Sequence, residues 1–254
     1  MVRSSQPGAR PGPPAISPAG SHAGSHAIAQ AINTPTYLRL RDQIRTDIES
    51  GCWRLGQHLT LHELSAHYSV SNVPVREALL QLQGDGMVDM RMNKGAVMLA
   101  VDARFIDEYF DVREALQSML LARACRSAWA GSAHTLAGVR ALLKPLEEAA
   151  RLGRVHDLIR ADDALQDHLA RLGGNDQALG MQASRGRLLE AFRRARMEVW
   201  APELETLPIQ GSAMLQALTH ADPALAAEAV RRHVAASRTY MTRLLKVPEL
   251  PIPT

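Results

Sequence analysis

Residues 71–79, Ser71-Asn72-Val73-Pro74-Val75-Arg76-Glu77-Ala78-Leu79, constrain the fold more than any other stretch of this chain. Ser71 stands where a helix N-cap belongs, and Pro74 restricts its neighbour. Arg76 falls one turn in, and an apolar run follows. Upstream, Tyr37, Leu40, Ile44 and Ile48 recur at helical spacing, and Gly51 ends that segment. Leu59-Thr60-Leu61 reads as a short bridge, with Thr60 as N-cap of a helix through Tyr68. The turn Ser69-Val70-Ser71 leads into a helix over 72–84, broken by Gly84 and Gly86. Met87–Met90 and Ala96–Leu99 then flank Asn93-Lys94-Gly95, which is a hairpin pattern. The order is helix, helix, turn, helix, hairpin.

The 254 residues leave room for a second domain with its own core. From Asp102 onward no segment reads as a strand. Helices are expected at about 103–129, 133–152, 154–172, 176–200, 209–219 and 223–246. They are punctuated by Gly131, Gly153, Gly173-Gly174, Pro202, Pro208 and Pro223. Six such helices predict an all-helical bundle. Residues 1–33 are rich in Pro, Gly, Ser and Ala, and are expected to form a disordered tail. His22 and His26 in that tail read as solvated rather than metal-binding. The expected organisation is therefore a tail over 1–33, a first domain over 34–101, a helical domain over 102–247 and a short tail over 248–254.

The formal charge of +3 permits a nucleic-acid partner without showing one. Within 34–100, Arg39, Arg41, Arg45, Arg54, Arg76, Arg91 and Lys94 are balanced by Asp42, Asp47, Glu49, Glu63, Glu77, Asp85 and Asp89. DNA binding must rest on where these charges sit. Cys52 and Cys125 are read as buried free thiols. No run approaches the roughly 18 apolar residues of a membrane span, and the N-terminus lacks a signal-peptide core, so a cytoplasmic location is expected. His62-Glu63 and His67 lack the spacing of a zinc protease. There is no Glu-x-x-His pair, phosphate-binding Gly loop or nucleophile elbow, so an enzyme is not expected.

In a helix-turn-helix the second helix meets base edges with its first turn. Here that turn holds Ser71, Asn72, Val73, Pro74, Val75 and Arg76. Ser71 is suited to cap the helix and donate to a phosphate. Asn72 suits an adenine edge, and Arg76 a guanine or a phosphate. His62 would add a phosphate contact. Lys94 and Gly95 form the tip of the hairpin, which would act as a wing. Gly51, Gly56-Gln57-His58-Leu59, Leu64-Ser65, Val70 through Leu79, Leu82 through Gly86 and Lys94 through Val97 follow one another as in the GntR family. The segment 36–100 strongly resembles that family's winged helix-turn-helix. Asn72 and Val73 stand where the family usually has an Arg and a small residue, and Leu55 replaces its Pro. The resemblance therefore implies a shifted operator sequence or a weaker affinity.

The second part resembles the helical ligand-binding domain of the FadR-like, or FCD, branch. Tyr109 through Gln117, Asp162 through Asn175 and Ala217 through His233 carry this resemblance. It implies a divalent metal, such as zinc or nickel, held by one Asp and three His. Aligned on Leu169 and Gly174-Asn175, the family's Asp falls on Asp162 and its three His on Gln166, Gly211 and His233. Two ligands remain, so a metal is disfavoured and a polar pocket is expected. His168 points about 200° around the helix from Gln166 and is no substitute. Nor is His220, near a helix end. Arg113 and Gln117, with Asp162, Gln166 and His233, are expected to converge on a small carboxylate, gripped by Arg113. Arg193, Arg194 and Arg196 form a basic stretch that reads as a solvated or dimer-facing surface, and the sequence does not say which of them could turn inward.

These readings give a mostly α protein, an N-terminal winged helix-turn-helix followed by a C-terminal helical bundle. The expected function is a dimeric transcriptional repressor of double-stranded operator DNA, controlled by a small organic acid. The alternative is a helical ligand-binding or interaction protein with weakened or lost DNA binding.

Overall fold

The computed structural model describes residues 35–91, 95–196 and 199–250. The 1–33 tail with His22 and His26, and Asn93 and Lys94 at the hairpin tip, lie outside the described residues.

Helix α1, Thr36–Glu49, buries Leu40, Ile44 and Ile48, which fall one turn apart on one face. Gly51, at φ +83°, takes the chain out of it. Strand β1, His58–Leu59, leads into α2, Leu61–Tyr68. The expected bridge at 59–61 is shifted, because Thr60 is already the N-cap. Its side chain accepts from the Glu63 backbone N–H, and the Glu63 carboxylate accepts from the Thr60 backbone N–H in return. Ser69, at φ +53°, makes the turn into α3, Asn72–Gly84. Val75, Ala78, Leu79 and Leu82 face inward from α3, which packs on α1 and α2.

Strands β2, Val88–Arg91, and β3, Gly95–Met98, form the expected hairpin, and β1 adds to its other edge in the antiparallel order β1-β3-β2. Gly95 sits at φ +90°, and a Cβ there would lie 2.2 Å from the Leu59 carbonyl oxygen. This position needs glycine for both its conformation and the approach of β1.

The second part is helical. Its elements are α4, Ala103–Arg126; α5, Ala133–Arg151; α6, Val155–Leu172; α7, Asp176–Arg194; α8, Pro202–Glu205; α9, Leu207–Thr219; and α10, Pro223–Leu244. Helix α4 packs on α10 and α6, α5 on α6, and α9 on α5 and α10. Asp102, Ser132, Asn175 and Asp222 cap four of these helices through their side chains. Pro145 lies inside α5 without ending it. Pro208 sits in the first turn of α9 rather than before it, where its missing N–H costs nothing.

The long helix expected over 176–200 is shorter. Ala201 is extended ahead of Pro202, as a residue before proline prefers, and a separate turn of helix starts there. Arg196 instead pairs with Glu249, and the Leu250 N–H donates to the Ala195 carbonyl at 2.7 Å. Residues 249–250, expected in a free tail, are thus tied to the end of α7. Cys52, expected to be buried, is exposed, whereas Cys125 is buried as expected.

Candidate DNA-reading helix and interior cavity

The back of α3 is fully buried, and its first turn faces outward. Ser71, Asn72, Val73 and Arg76 are exposed, and Val73 is 66% accessible. Pro74 is half-buried. No acidic residue lies in that turn, so the positive end of the helix dipole is left unopposed. Ser71 occupies the N-cap, yet its hydroxyl makes no capping bond. That corrects the expected cap and leaves the hydroxyl open to an outside acceptor.

The charges of the module are placed unevenly. Asp42 holds Arg41 and Arg45 at 2.7 and 3.0 Å, and Asp89 holds Arg91 at 3.0 Å. Among the described residues Arg76 has no such partner. His62 is exposed in the first turn of α2. Gly95 is buried beneath β1, where it seats the wing against that strand. Lys94 lies outside the described residues.

Within the bundle, α4, α6, α7 and α10, with α8 and the start of α9, line a half-open cavity of about 560 Å³. Arg113, Asp162 and Gln166 line it, as their shared faces predict. The Gln166 amide donates to Asp162 at 3.4 Å, and His233 Nε2 lies 3.5 Å from Asp162 Oδ2. His233 and Gln117 are buried but are not part of the lining. Among the described residues neither His233 nitrogen has a hydrogen-bond partner, nor does either end of the Gln117 amide, nor Arg113 Nε. Such buried polar atoms cost about 1–3 kcal/mol each when left unpaired; of these three residues Arg113 lies in the cavity wall, where it marks a place for a polar ligand. Burial, then the neighbouring Asp163 charge, raises the Asp162 carboxyl to about 7 despite Arg113. Burial, and then Arg113, lowers His233 to about 3.

The donor set does not fit a metal ion. No three His, Cys, Asp or Glu side chains gather among the described residues. The position of the missing histidine is also filled. A Cβ on Gly211 would lie 2.7 Å from Leu143 Cδ2 and 2.9 Å from Leu165 Cδ2. His168 points away, toward Gly138 of α5.

Gln182, Arg187, Arg193 and Tyr240 also line the cavity, and sequence reasoning did not find them there. Tyr240 stands seven residues after His233 on α10, a spacing that places both on one helix face. Arg193 is the inward member of the basic stretch and bonds Asp163 at 2.7 Å. Arg194 stays out with Glu190, and Arg196 lies over the Phe192 ring. No signal in the sequence marked Arg187.

The model of the "Bacterial regulatory proteins, gntR family" matches residues 36–98, and that of the FCD domain matches 108–236. A "Probable D-xylose utilization operon transcriptional repressor" of Paenarthrobacter nicotinovorans is 28% identical over 78% of this chain and 85% of its own. The "Uncharacterized HTH-type transcriptional regulator YdhC" of Bacillus subtilis is also 28% identical, over 34% of this chain, which there spans only 38% of that regulator's length. Among solved structures, E. coli McbR/YncC superimposes with a TM-score of 0.61 over 84% of this chain and 100% of its own. At 18% identity this likeness concerns the fold. With the FCD match alone covering half of its residues, the chain belongs to the GntR family of bacterial transcriptional regulators, in the branch that carries an FCD domain.

Proposed function

We propose that this protein is a repressor that binds a two-fold operator as a homodimer and is released by a small organic acid held in the cavity of its helical domain. The observation that carries this reading is the first turn of α3. It is exposed, free of acidic residues and backed by a buried face, and its Arg76 is unpaired among the described residues. An α-helix presented this way fits the major groove, where Asn72 suits adenine and Arg76 guanine. Ser71 and His62 suit phosphates, and Lys94 of the wing the adjacent backbone. Two-fold symmetry of a dimer would supply two reading helices to one operator. Arg113, Asp162 and Gln166 in the cavity wall, with an Arg113 Nε that is unpaired among the described residues and with the buried, unpaired Gln117 and His233 near them in the interior, support an effector with hydrogen-bonding and acidic groups.

The test is fluorescence anisotropy on palindromic fragments from upstream of the protein's own gene, at several salt concentrations. The affinity is expected to fall linearly with salt on logarithmic axes. Arg76→Ala is expected to cost about 1–3 kcal/mol of binding if Arg76 reads a base. Equal operator affinity of the variant and the parent would remove Arg76 from the reading surface.

A further inference from the structure

Two arginines of the cavity are already bonded to carboxylates at its rim. Arg193 is bonded to Asp163, and Arg171 to Asp167 at 2.9 and 3.0 Å. Among the described residues Arg113 makes no hydrogen bond or ion pair; it lies over the Phe110 ring, 5.7 Å from its guanidinium carbon, with its charge felt by Asp162. Arg187 differs from all of these, because its partner belongs to the other domain. Its Nε lies 3.5 Å from Oε1 of Glu49, the last residue of α1. That is well beyond the 2.7–2.9 Å of a charge-assisted hydrogen bond. Both atoms are buried, and among the described residues neither makes a hydrogen bond.

The same stretch of α7 touches the DNA-reading module a second time. Arg185 stacks on Phe105 and lies against Gly86, just past the end of α3, so closely that a Cβ there would be 2.7 Å from Arg185 Nε. Arg187 therefore faces the cavity and the joint between domains at once. Its hold on Glu49 is loose enough to be exchanged.

We propose that Arg187 is an anion subsite of the cavity, that it and Arg113 take the two acidic groups of a dicarboxylate, and that Arg187 does so by releasing Glu49, unfastening the DNA-reading module from the helical bundle. This rests on the cavity being the effector site. A carboxylate offers the planar guanidinium two parallel bonds, which Glu49 at 3.5 Å does not. Glu49 and the ligand then compete for one cation, so each weakens the other's hold to the same degree.

The experiment uses glutarate as probe and the full-length protein, with calorimetric titration and hydrogen–deuterium exchange over residues 45–56. Glu49→Gln removes the competitor without touching the cavity wall, and is expected to bind glutarate about fivefold more tightly, the low end of ordinary coupling between sites. Arg187→Gln is expected to bind it at least about tenfold more weakly, the loss of one charged hydrogen-bonding pair. Glutarate should speed exchange over 45–56 in the parent and leave Arg187→Gln unchanged, while Glu49→Gln exchanges fast without it. Parent-like glutarate affinity and exchange in Glu49→Gln would overturn the proposal. If Arg113→Ala then still abolished binding, the cavity would remain the effector site. A parent that failed to bind glutarate at millimolar concentration would overturn both the dicarboxylate subsite and the acid-effector reading.

Discussion

Asp162 and His233 meet in the interior with 3.5 Å between Oδ2 and Nε2, and their titrations oppose each other. The Asp162 carboxyl is raised from 3.8 to about 7, chiefly by burial. Alone, it contributes stability that is present below pH 4 and lost as pH rises through 7. His233 is lowered from 6.5 to about 3, again chiefly by burial. Alone, it contributes stability that is present above pH 6.5 and lost as pH falls through 3. Between about pH 4 and 6.5 the folded pair holds one proton and the unfolded pair also holds one, so the two slopes cancel. Asp162→Asn leaves the histidine slope exposed. Relative to the parent, its stability should climb with pH across that interval, by at most about 1.4 kcal/mol per pH unit. His233→Gln should do the reverse, losing stability toward pH 7. Urea unfolding from pH 4.5 to 7.5 reads both, and parallel profiles for Asp162→Asn and the parent would show that the pair is not coupled to folding. The residues of this pair were legible in the sequence only through the family resemblance, since an isolated Asp and His 71 positions apart carry no local signal. That Gly211 is filled by Leu143 and Leu165 could not be read at all, because it depends on rotamers from two other helices.

At the scale of elements, the reading helix owes its position to the short helix before it. Helix α2 has eight residues, too few to be stable alone, and its start is fixed by the reciprocal Thr60–Glu63 bonds. Thr60→Ala should cost about 1 kcal/mol, seen as a lower melting temperature, and should weaken operator binding less than Arg76→Ala does. An unchanged melting temperature would mean that packing of Leu64 alone sets the helix. Caps and periodicity are local properties, which is why the bounds of α2, α3 and most bundle helices could be anticipated. Thr60 and Gly84 mark their own positions. The misreadings fall where the deciding partner is distant in sequence. His58–Leu59 is a strand because β3 passes beside it. The 176–200 helix stops early where Pro202 starts another turn and Glu249 returns to Arg196.

Across the whole molecule, one route of packed elements joins the cavity to the DNA-reading surface. Helix α7 walls the cavity and packs on α1, and α1 packs on α3, whose first turn is the reading surface. The joint between α7 and α1 is narrow and partly polar, and its ion pair is half-made. Interfaces of that kind allow relative motion of domains rather than rigid union. A ligand shifts such an equilibrium only by the difference in its affinity for the two arrangements. If operator and effector favour opposite arrangements, thermodynamic linkage requires that saturating operator weaken glutarate by the same factor by which glutarate weakens operator. Titrating glutarate with and without operator DNA, and operator with and without glutarate, measures the two factors independently. They should agree, lie in the range of about 5–150-fold, and fall toward one in Arg187→Gln. Glutarate affinity that is indifferent to operator would sever the cavity from the reading helix, however tightly each ligand binds by itself.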